Sequence, residues 1–251
     1  MDLAHIQARL WRGVVDFITP PRCLMCRAPL REPSSLCAGC WAKLQQIDEP
    51  LCDVLGTPFA YDQGDGVVSA AALANPPPWD RARAAVAYDD ASRPLVHALK
   101  FHDTPEAGLL MARMMARAGR RLLAETGLIV PVPLHRRRLW TRRFNQSAYL
   151  ALRLSEQAGK PFRGDILLRV KATPPQVGLD SKARQKNVKG AFAVAQARRA
   201  LVDGKKILLV DDVLTTGATA GACARALREA GAAQIDVLTF ALVLAPLRLH
   251  I

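Results

Sequence analysis

Residues 205–227 read KKILLVDDVLTTGATAGACARAL, and this stretch decides the fold. Ile207, Leu208, Leu209 and Val210 form an unbroken apolar run of the kind that makes a strand buried on both faces. Asp211 and Asp212 stand where the run ends, which in an open α/β sheet is the edge at which ligands bind. Thr215, Thr216, Gly217, Ala218 and Thr219 then make a turn of small and hydroxyl-bearing residues leading into a helix. Backbone N–H groups, hydroxyls and the positive helix end therefore converge on one place and suit a phosphate. Two carboxylates beside an anion site repel unless the ligand also offers them sugar hydroxyls or Mg²⁺. The stretch contains neither GxxxxGK followed by Ser or Thr nor GxGxxG, which excludes a P-loop and a dinucleotide fingerprint.

Outward from this motif, short β-like runs alternate with helical ones. AAVAY (84–88), LIVPVP (128–133), ILLV (207–210) and 235–243 read as strands; 107–125, 146–158 and 219–230 read as helices. Such alternation predicts an α/β domain with a mainly parallel sheet flanked by helices. Met111, Met114 and Met115 fall on a helix as core filler, and Cys223 reads as a small buried apolar residue. His97, His102 and His135 form no nucleophile or ligand constellation in the sequence.

The 251 residues are 50% hydrophobic, which excludes disorder as the main state. The longest uncharged, mainly apolar run, Val237 to Leu247, is too short to cross a bilayer and contains Pro246. Asp2, Arg9, Arg12 and Asp16 deny the first residues a signal-peptide core, so the expectation is a cytoplasmic protein without a membrane span. Of the net charge of +13, residues 131–189 supply most, with 14 Lys/Arg against 3 Asp/Glu. Arg136, Arg137, Arg138, Arg142 and Arg143 crowd into that stretch with no acid among them, which an anionic ligand explains better than a solvated face. Trp140 and Phe144 interleave with them and suggest a stacking surface for single-stranded DNA.

Four of the six cysteines form two CxxC pairs, Cys23/Cys26 and Cys37/Cys40. Two such knuckles close a tetrahedral thiolate shell around one structural Zn²⁺, with no position left open for catalysis. Cys52 follows alone, with Leu55 where a partner would stand. Leu3, Ile6, Leu10, Val14 and Phe17 recur at helical spacing before the knuckles. The proline run Asn75–Pro78 marks the boundary between an N-terminal module (1–75) and the larger domain (76–251).

VDDVLTTGAT resembles the signature of the type I phosphoribosyltransferases, which bind 5-phosphoribosyl 1-pyrophosphate (PRPP) with Mg²⁺. The resemblance implies that Asp211 and Asp212 hold the ribose and that Thr215, Thr216, Gly217, Ala218 and Thr219 hold the 5′-phosphate. The order of zinc ribbon, PVPLHRRRLWTRRFNQ, RVKATPPQVGLDSKARQKNVKGAF and PRPP loop is similar to that of the ComF family of competence-associated proteins, over nearly the whole chain. RVKATPPQVGLDSKARQKN also resembles the closing catalytic loop of amidophosphoribosyltransferases, which nominates Arg169, Thr173, Gln176, Arg184 and Asn187. Arg184 is counted with the acid pair as catalytic. The segment 131–146 falls where the type I fold places its pyrophosphate loop, which nominates Arg142, Arg143, Asn145 and Gln146. Lys100 in ALKF matches a recurrent family lysine or serves as a helix-end cation. Family members carry a double zinc ribbon; Leu55, and Ser69 and Ala72 near the last two ligand positions, imply one zinc here rather than two. Three functions follow from the resemblance: a phosphoribosyltransferase of unassigned acceptor, a single-stranded DNA factor working with competence-machinery proteins, or a PRPP sensor without transfer.

Overall fold

The structure, a computed structural model, describes residues 21–64, 66–101, 105–134, 144–171 and 186–244. The helix read over residues 3–17, the arginine run 136–143 with Trp140, and His102 and His135 lie outside the described residues. Two short helices, α1 (Ala38–Trp41) and α2 (Ala70–Ala74), precede the larger part of the chain. There follow β1 (Arg81–Ala87), α3 (Arg93–Phe101), α4 (Pro105–Ala118), α5 (Arg120–Glu125), β2 (Leu128–Pro131) and α6 (Gln146–Ala158). A hairpin of β3 (Leu167–Arg169) and β4 (Phe192–Val194), a 3₁₀ turn (Gln196–Leu201), β5 (Lys206–Leu214), α7 (Ala218–Glu229) and β6 (Gln234–Leu242) complete the order.

The main sheet runs β1-β6-β5-β2 with every pairing parallel, as the alternation of apolar runs and helices predicts. β5 is central, and its side chains alternate between two layers. Leu208 and Val210 enter a core with Leu95 and Leu99 of α3, Met111 and Met115 of α4, and Leu150 and Leu154 of α6. Ile207 and Leu209 enter the opposite core with Cys223 and Leu227 of α7 and Leu167 and Phe192 of the hairpin. Each fully buried Leu or Ile in these layers contributes about 1.5–3 kcal/mol. Cys223 and the three methionines are thus core residues, as expected.

Three differences from the sequence reading have physical causes. The helix expected over 107–125 is two helices, because the chain turns at Gly119, where a Cβ would meet Leu238 of β6 at 2.7 Å. β5 does not stop at Val210 but continues to Leu214, since β6 pairs with it as far as Leu214↔Leu242. The antiparallel hairpin β3–β4 was not anticipated; it closes the layer over α7.

Neither edge of the sheet is bare. On β1, Ile47 N–H donates to Ala85 O and Ala87 N–H donates to Gln45 O, so residues 45–47 add an antiparallel segment. On β2, Ile129 N–H donates to Pro161 O and Arg163 N–H donates to Ile129 O. Leu44 and Ile47 are buried in the two cores, so the segment after α1 is part of the sheet's packing.

Candidate functional site

β2 stops pairing with β5 at Pro131↔Val210, whereas β6 accompanies β5 for four residues more. The chain therefore opens a crevice beside β5 at the point where Asp211 and Asp212 stand. Asp211 accepts the Ser147 hydroxyl at 2.8 Å and the Asp212 N–H at 2.9 Å. Asp212 pairs with Lys100, whose Nζ is 2.7 Å from Oδ2. Burial, reinforced by the neighbouring charge of Asp212, pushes the Asp211 carboxyl up to about 7, against the opposing pull of the Ser147 hydrogen bond. Lys100 sits in the last turn of α3, so it is both a helix-end cation and a partner of the acid pair.

Beyond Leu214 the chain turns at Gly217, whose φ of 73° is left-handed, and enters α7 with no side chain capping its first N–H groups. Thr215 and Thr216 are exposed. Trp79 seals the inner side of this turn, for a Cβ on Gly217 would lie 2.6 Å from its ring. The result is a hydroxyl-bearing turn at a helix start, suited to one anion, a few residues along the chain from two carboxylates suited to hydroxyls or a cation.

The N-terminal part is a repeated knuckle. Cys23 N–H donates to Ala28 O at 2.8 Å, Cys37 N–H points at Cys23 Sγ at 3.4 Å, and Cys37 is the N-cap of α1. Farther along, Cys52 N–H donates to Thr57 O at 2.8 Å, Ser69 N–H points at Cys52 Sγ at 3.2 Å, and Ser69 is the N-cap of α2. The two halves share a backbone but not a core. In the first, the Cys23, Cys26, Cys37 and Cys40 sulfurs lie within 4.8 Å of one another. A tetrahedral zinc with Zn–S of about 2.3 Å needs S···S of about 3.8 Å, so this tetrad fits the ion. Burial opposes ionisation of Cys23, but the N–H groups of Cys26, Cys37 and Met25 outweigh it and bring that thiol down to about 6. At Cys40, burial and the neighbouring thiols push the pKa up to about 12, a conflict that a divalent cation relieves. In the second half the corresponding places hold Cys52, Leu55, Ser69 and Ala72, and the packing is apolar.

A double zinc ribbon domain matches residues 14–72, and a phosphoribosyl transferase domain matches residues 156–248. DNA utilization protein YhgH of Escherichia coli (strain K12) is 33% identical over 224 residues, which cover 87% of this chain and 95% of that protein. Competence protein F of Haemophilus influenzae is 31% identical over 222 residues, 86% of this chain and 94% of that one. The chain belongs to the ComF/YhgH family. Among solved structures, glutamine PRPP amidotransferase from B. subtilis is 22% identical, with 52% of this chain and 25% of that one covered at a TM-score of 0.36. No helix among the described residues is long and apolar enough to cross a membrane.

In this member of the ComF/YhgH family the structure brings together Lys100, Ser147, Asp211 and Asp212 on β5, with the turn Thr215–Thr219 following its end. Gln146 is 2% exposed, and its Nε2 has no hydrogen-bond partner among the described residues. Asn145 is committed to its helix: its side chain caps α6 by accepting from Ser147 and Ala148 N–H and donates to Val132 O. Arg169 lies on the hairpin with its guanidinium over the Phe192 ring, and Asn187 is half-buried just before Val188 of the core. Arg142, Arg143, Thr173, Gln176 and Arg184 lie outside the described residues. Phe144 is half-buried and packs edge-on against Tyr149, ring centroids 6.3 Å apart, at the margin of the core; Trp140, with which it was expected to form a stacking surface, lies outside the described residues.

Two residues of the site escaped the sequence reading. Ser147 was one position past the nominated Asn145 and Gln146, and only the turn of α6 aims it at Asp211. Trp79 directly follows the proline run; its Nε1 donates to Val54 O at 2.9 Å while its ring covers Gly217, so it ties the second knuckle to the turn. Arg83 strengthens the same junction, donating to Asp53 O at 2.9 Å and pairing with the Asp53 carboxylate.

Proposed function

We propose that the protein binds PRPP with Mg²⁺ and acts as a phosphoribosyltransferase. The observation that carries this reading is the acid pair Asp211–Asp212 opening onto the β2–β5 crevice, beside an uncapped helix start with a left-handed glycine. Asp211 and Asp212 accept the ribose hydroxyls, and Thr215, Thr216, Gly217, Ala218 and Thr219 surround the 5′-phosphate. Lys100 holds Asp212 in place, and Ser147 does so for Asp211. The unpartnered Gln146 amide, with Arg142 and Arg143, serves the departing pyrophosphate. Arg169, Thr173, Gln176, Arg184 and Asn187 belong to the segment that closes over the substrate, with Arg184 set against the reacting group. The carboxylates are oxygen donors of the class Mg²⁺ takes, and the ion would neutralise charge on the leaving pyrophosphate. Competence-machinery proteins and a cytoplasmic site of action fit the same reading.

Calorimetric titration of PRPP with and without Mg²⁺ tests it. Asp211→Asn with Asp212→Asn should weaken binding, each lost charge-assisted hydrogen bond costing about 1.5–3 kcal/mol. Unchanged affinity in a folded double variant overturns the reading. A second reading, single-stranded DNA handling, is favoured by the concentration of 14 Lys/Arg in residues 131–189 and by the names of the relatives. It requires an affinity that falls steeply with salt and is lost when Arg136, Arg137 and Arg138 are replaced; a salt-independent affinity refutes it.

A further inference from the structure

The turn that ends β5 is backed by the proline run and, through it, by the second, cysteine-poor knuckle. A Cβ on Gly217 would have three atoms of the Trp79 ring as its nearest neighbours, the closest at 2.6 Å. One on Gly221, a helical turn later on the same face of α7, would meet Pro78 at 3.2 Å. Pro78 and Trp79 thus lie directly against the start of α7. The ring has little freedom of its own. Its Nε1 donates to Val54 O at 2.9 Å, and the next residue, Asp80, is tied down on three sides. Asp80 N–H donates to Ile235 O at 2.8 Å, its carboxylate accepts the Ile235 N–H at 2.7 Å, and Arg228 in the last turn of α7 pairs with it at 2.8 Å. Val54 is held in its turn, because Asp53 O accepts the Ala82 N–H and the Arg83 guanidinium and so fastens the knuckle along β1. The hub of the knuckle is Cys52. Burial opposes ionisation of its thiol, but the Ser69 hydroxyl and the N–H groups of Ser69, Leu55 and Val54 outweigh that and hold it below its ordinary range. The N–H groups of Cys26, Cys37 and Met25 do the same at Cys23 in the first knuckle.

The second knuckle therefore keeps its backbone, its sulfur hub and its grip on β1 although it lacks three of the four zinc ligands, and its contacts lead through Val54 and Trp79 to Gly217. An anion at that turn is held by main-chain N–H groups, whose directions follow the backbone. Its affinity depends on the turn being fixed before the ligand arrives. We propose that the second knuckle is a bracket for the anion turn and that Trp79 is its positioning residue, setting the affinity for a 5′-phosphate by fixing Gly217. For the ligand's identity the inference rests on the PRPP reading above; the bracket itself acts on any phosphate held at the turn. Trp79 works through Gly217 and takes no part in the chemistry at Asp211 and Asp212. The second half of the N-terminal module thus serves the binding site, whereas the first half serves its zinc.

The experiment is fluorine NMR on the full-length, zinc-loaded protein labelled with 5-fluorotryptophan, with calorimetry alongside. The chain has four tryptophans, and replacing Trp11, Trp41 and Trp140 by Phe one at a time assigns the Trp79 line by elimination. Inorganic phosphate, ribose 5-phosphate and PRPP with Mg²⁺ are the probes. Each should shift the Trp79 line, with a midpoint that matches its calorimetric affinity. Trp79→Leu, checked for full zinc content and a cooperative urea transition, should bind ribose 5-phosphate and PRPP about tenfold more weakly. Should that variant fail to fold, the Trp79 line of the wild type decides alone. If PRPP binds while the Trp79 line stays still, or a folded Trp79→Leu keeps wild-type affinity, the bracket is overturned and the PRPP reading stands. If phosphate binds and moves the Trp79 line but PRPP does not bind, the PRPP reading fails and the bracket stands. If none of the three probes binds, both fail.

Discussion

Gly217→Ala isolates the contact on which the turn depends. The left-handed φ of 73° costs a residue with a Cβ about 1–2 kcal/mol. The new methyl would also stand 2.6 Å from Trp79 Cη2, and Trp79 is only 8% exposed and held by its bond to Val54 O. Overpacking a fixed ring costs about 1–3 kcal/mol, so the two effects together predict a loss of about 2–5 kcal/mol. Urea unfolding of the zinc-loaded protein measures it as a fall in midpoint at constant slope. The two contributions separate in a cycle with Trp79→Leu, which removes the ring: the Gly217→Ala cost should then fall to the backbone part alone. A loss below about 1 kcal/mol, or one that Trp79→Leu does not reduce, refutes the reasoning that ring and turn are packed as a unit. The same geometry shows that a bulky residue at 217 strikes Trp79 as well as any bound phosphate. A steric block of the phosphate is therefore better sought at the exposed Thr216.

The purified protein should hold one zinc per chain, because among the described residues only Cys23, Cys26, Cys37 and Cys40 converge; metal analysis near two per chain contradicts the cysteine-poor second knuckle. The acid pair sets a pH dependence. The Asp211 carboxyl titrates near 3.8 when unfolded and about 7 when folded, so between those values the folded chain holds a proton that the unfolded chain has released. Its contribution to stability is then largest at the acid end of the window and declines as the pH rises to about 7. Subtracting the stability curve of ligand-free Asp211→Asn from that of the wild type should leave this decline, and a flat difference curve contradicts a raised carboxyl at 211.

The parallel sheet was legible because β5 carries the unbroken apolar run Ile207–Val210 and β6 is mainly apolar, and run length suffices to recognise strands buried on both faces. The acid pair and the turn were legible because their chemistry is contiguous. What the sequence concealed was convergence at a distance. Ser147 and Lys100 reach the acids from 64 and 112 positions away, read from their numbers, and no local pattern marks them as partners. Nothing local marks Trp79, whose role depends on a tertiary approach to Gly217. Phe144 reads as part of a basic, aromatic surface because it follows arginines, and no local pattern marks its edge-on contact with Tyr149. The second knuckle was half legible: Leu55, Ser69 and Ala72 announced the missing ligands, but not that the backbone would persist without them.

The pairing of residues 45–47 with β1 changes what the proline run can mean as a boundary. Cutting the chain there would strip Gln45 and Ile47 from the strand and leave Ala85 O and Ala87 N–H facing water along an otherwise apolar ribbon. A bare parallel edge of that kind is an invitation to strand addition by another molecule. The zinc-bearing segment thus acts as a selvedge, the woven margin that keeps a fabric from unravelling. The larger part of the chain has no finished edge of its own on that side.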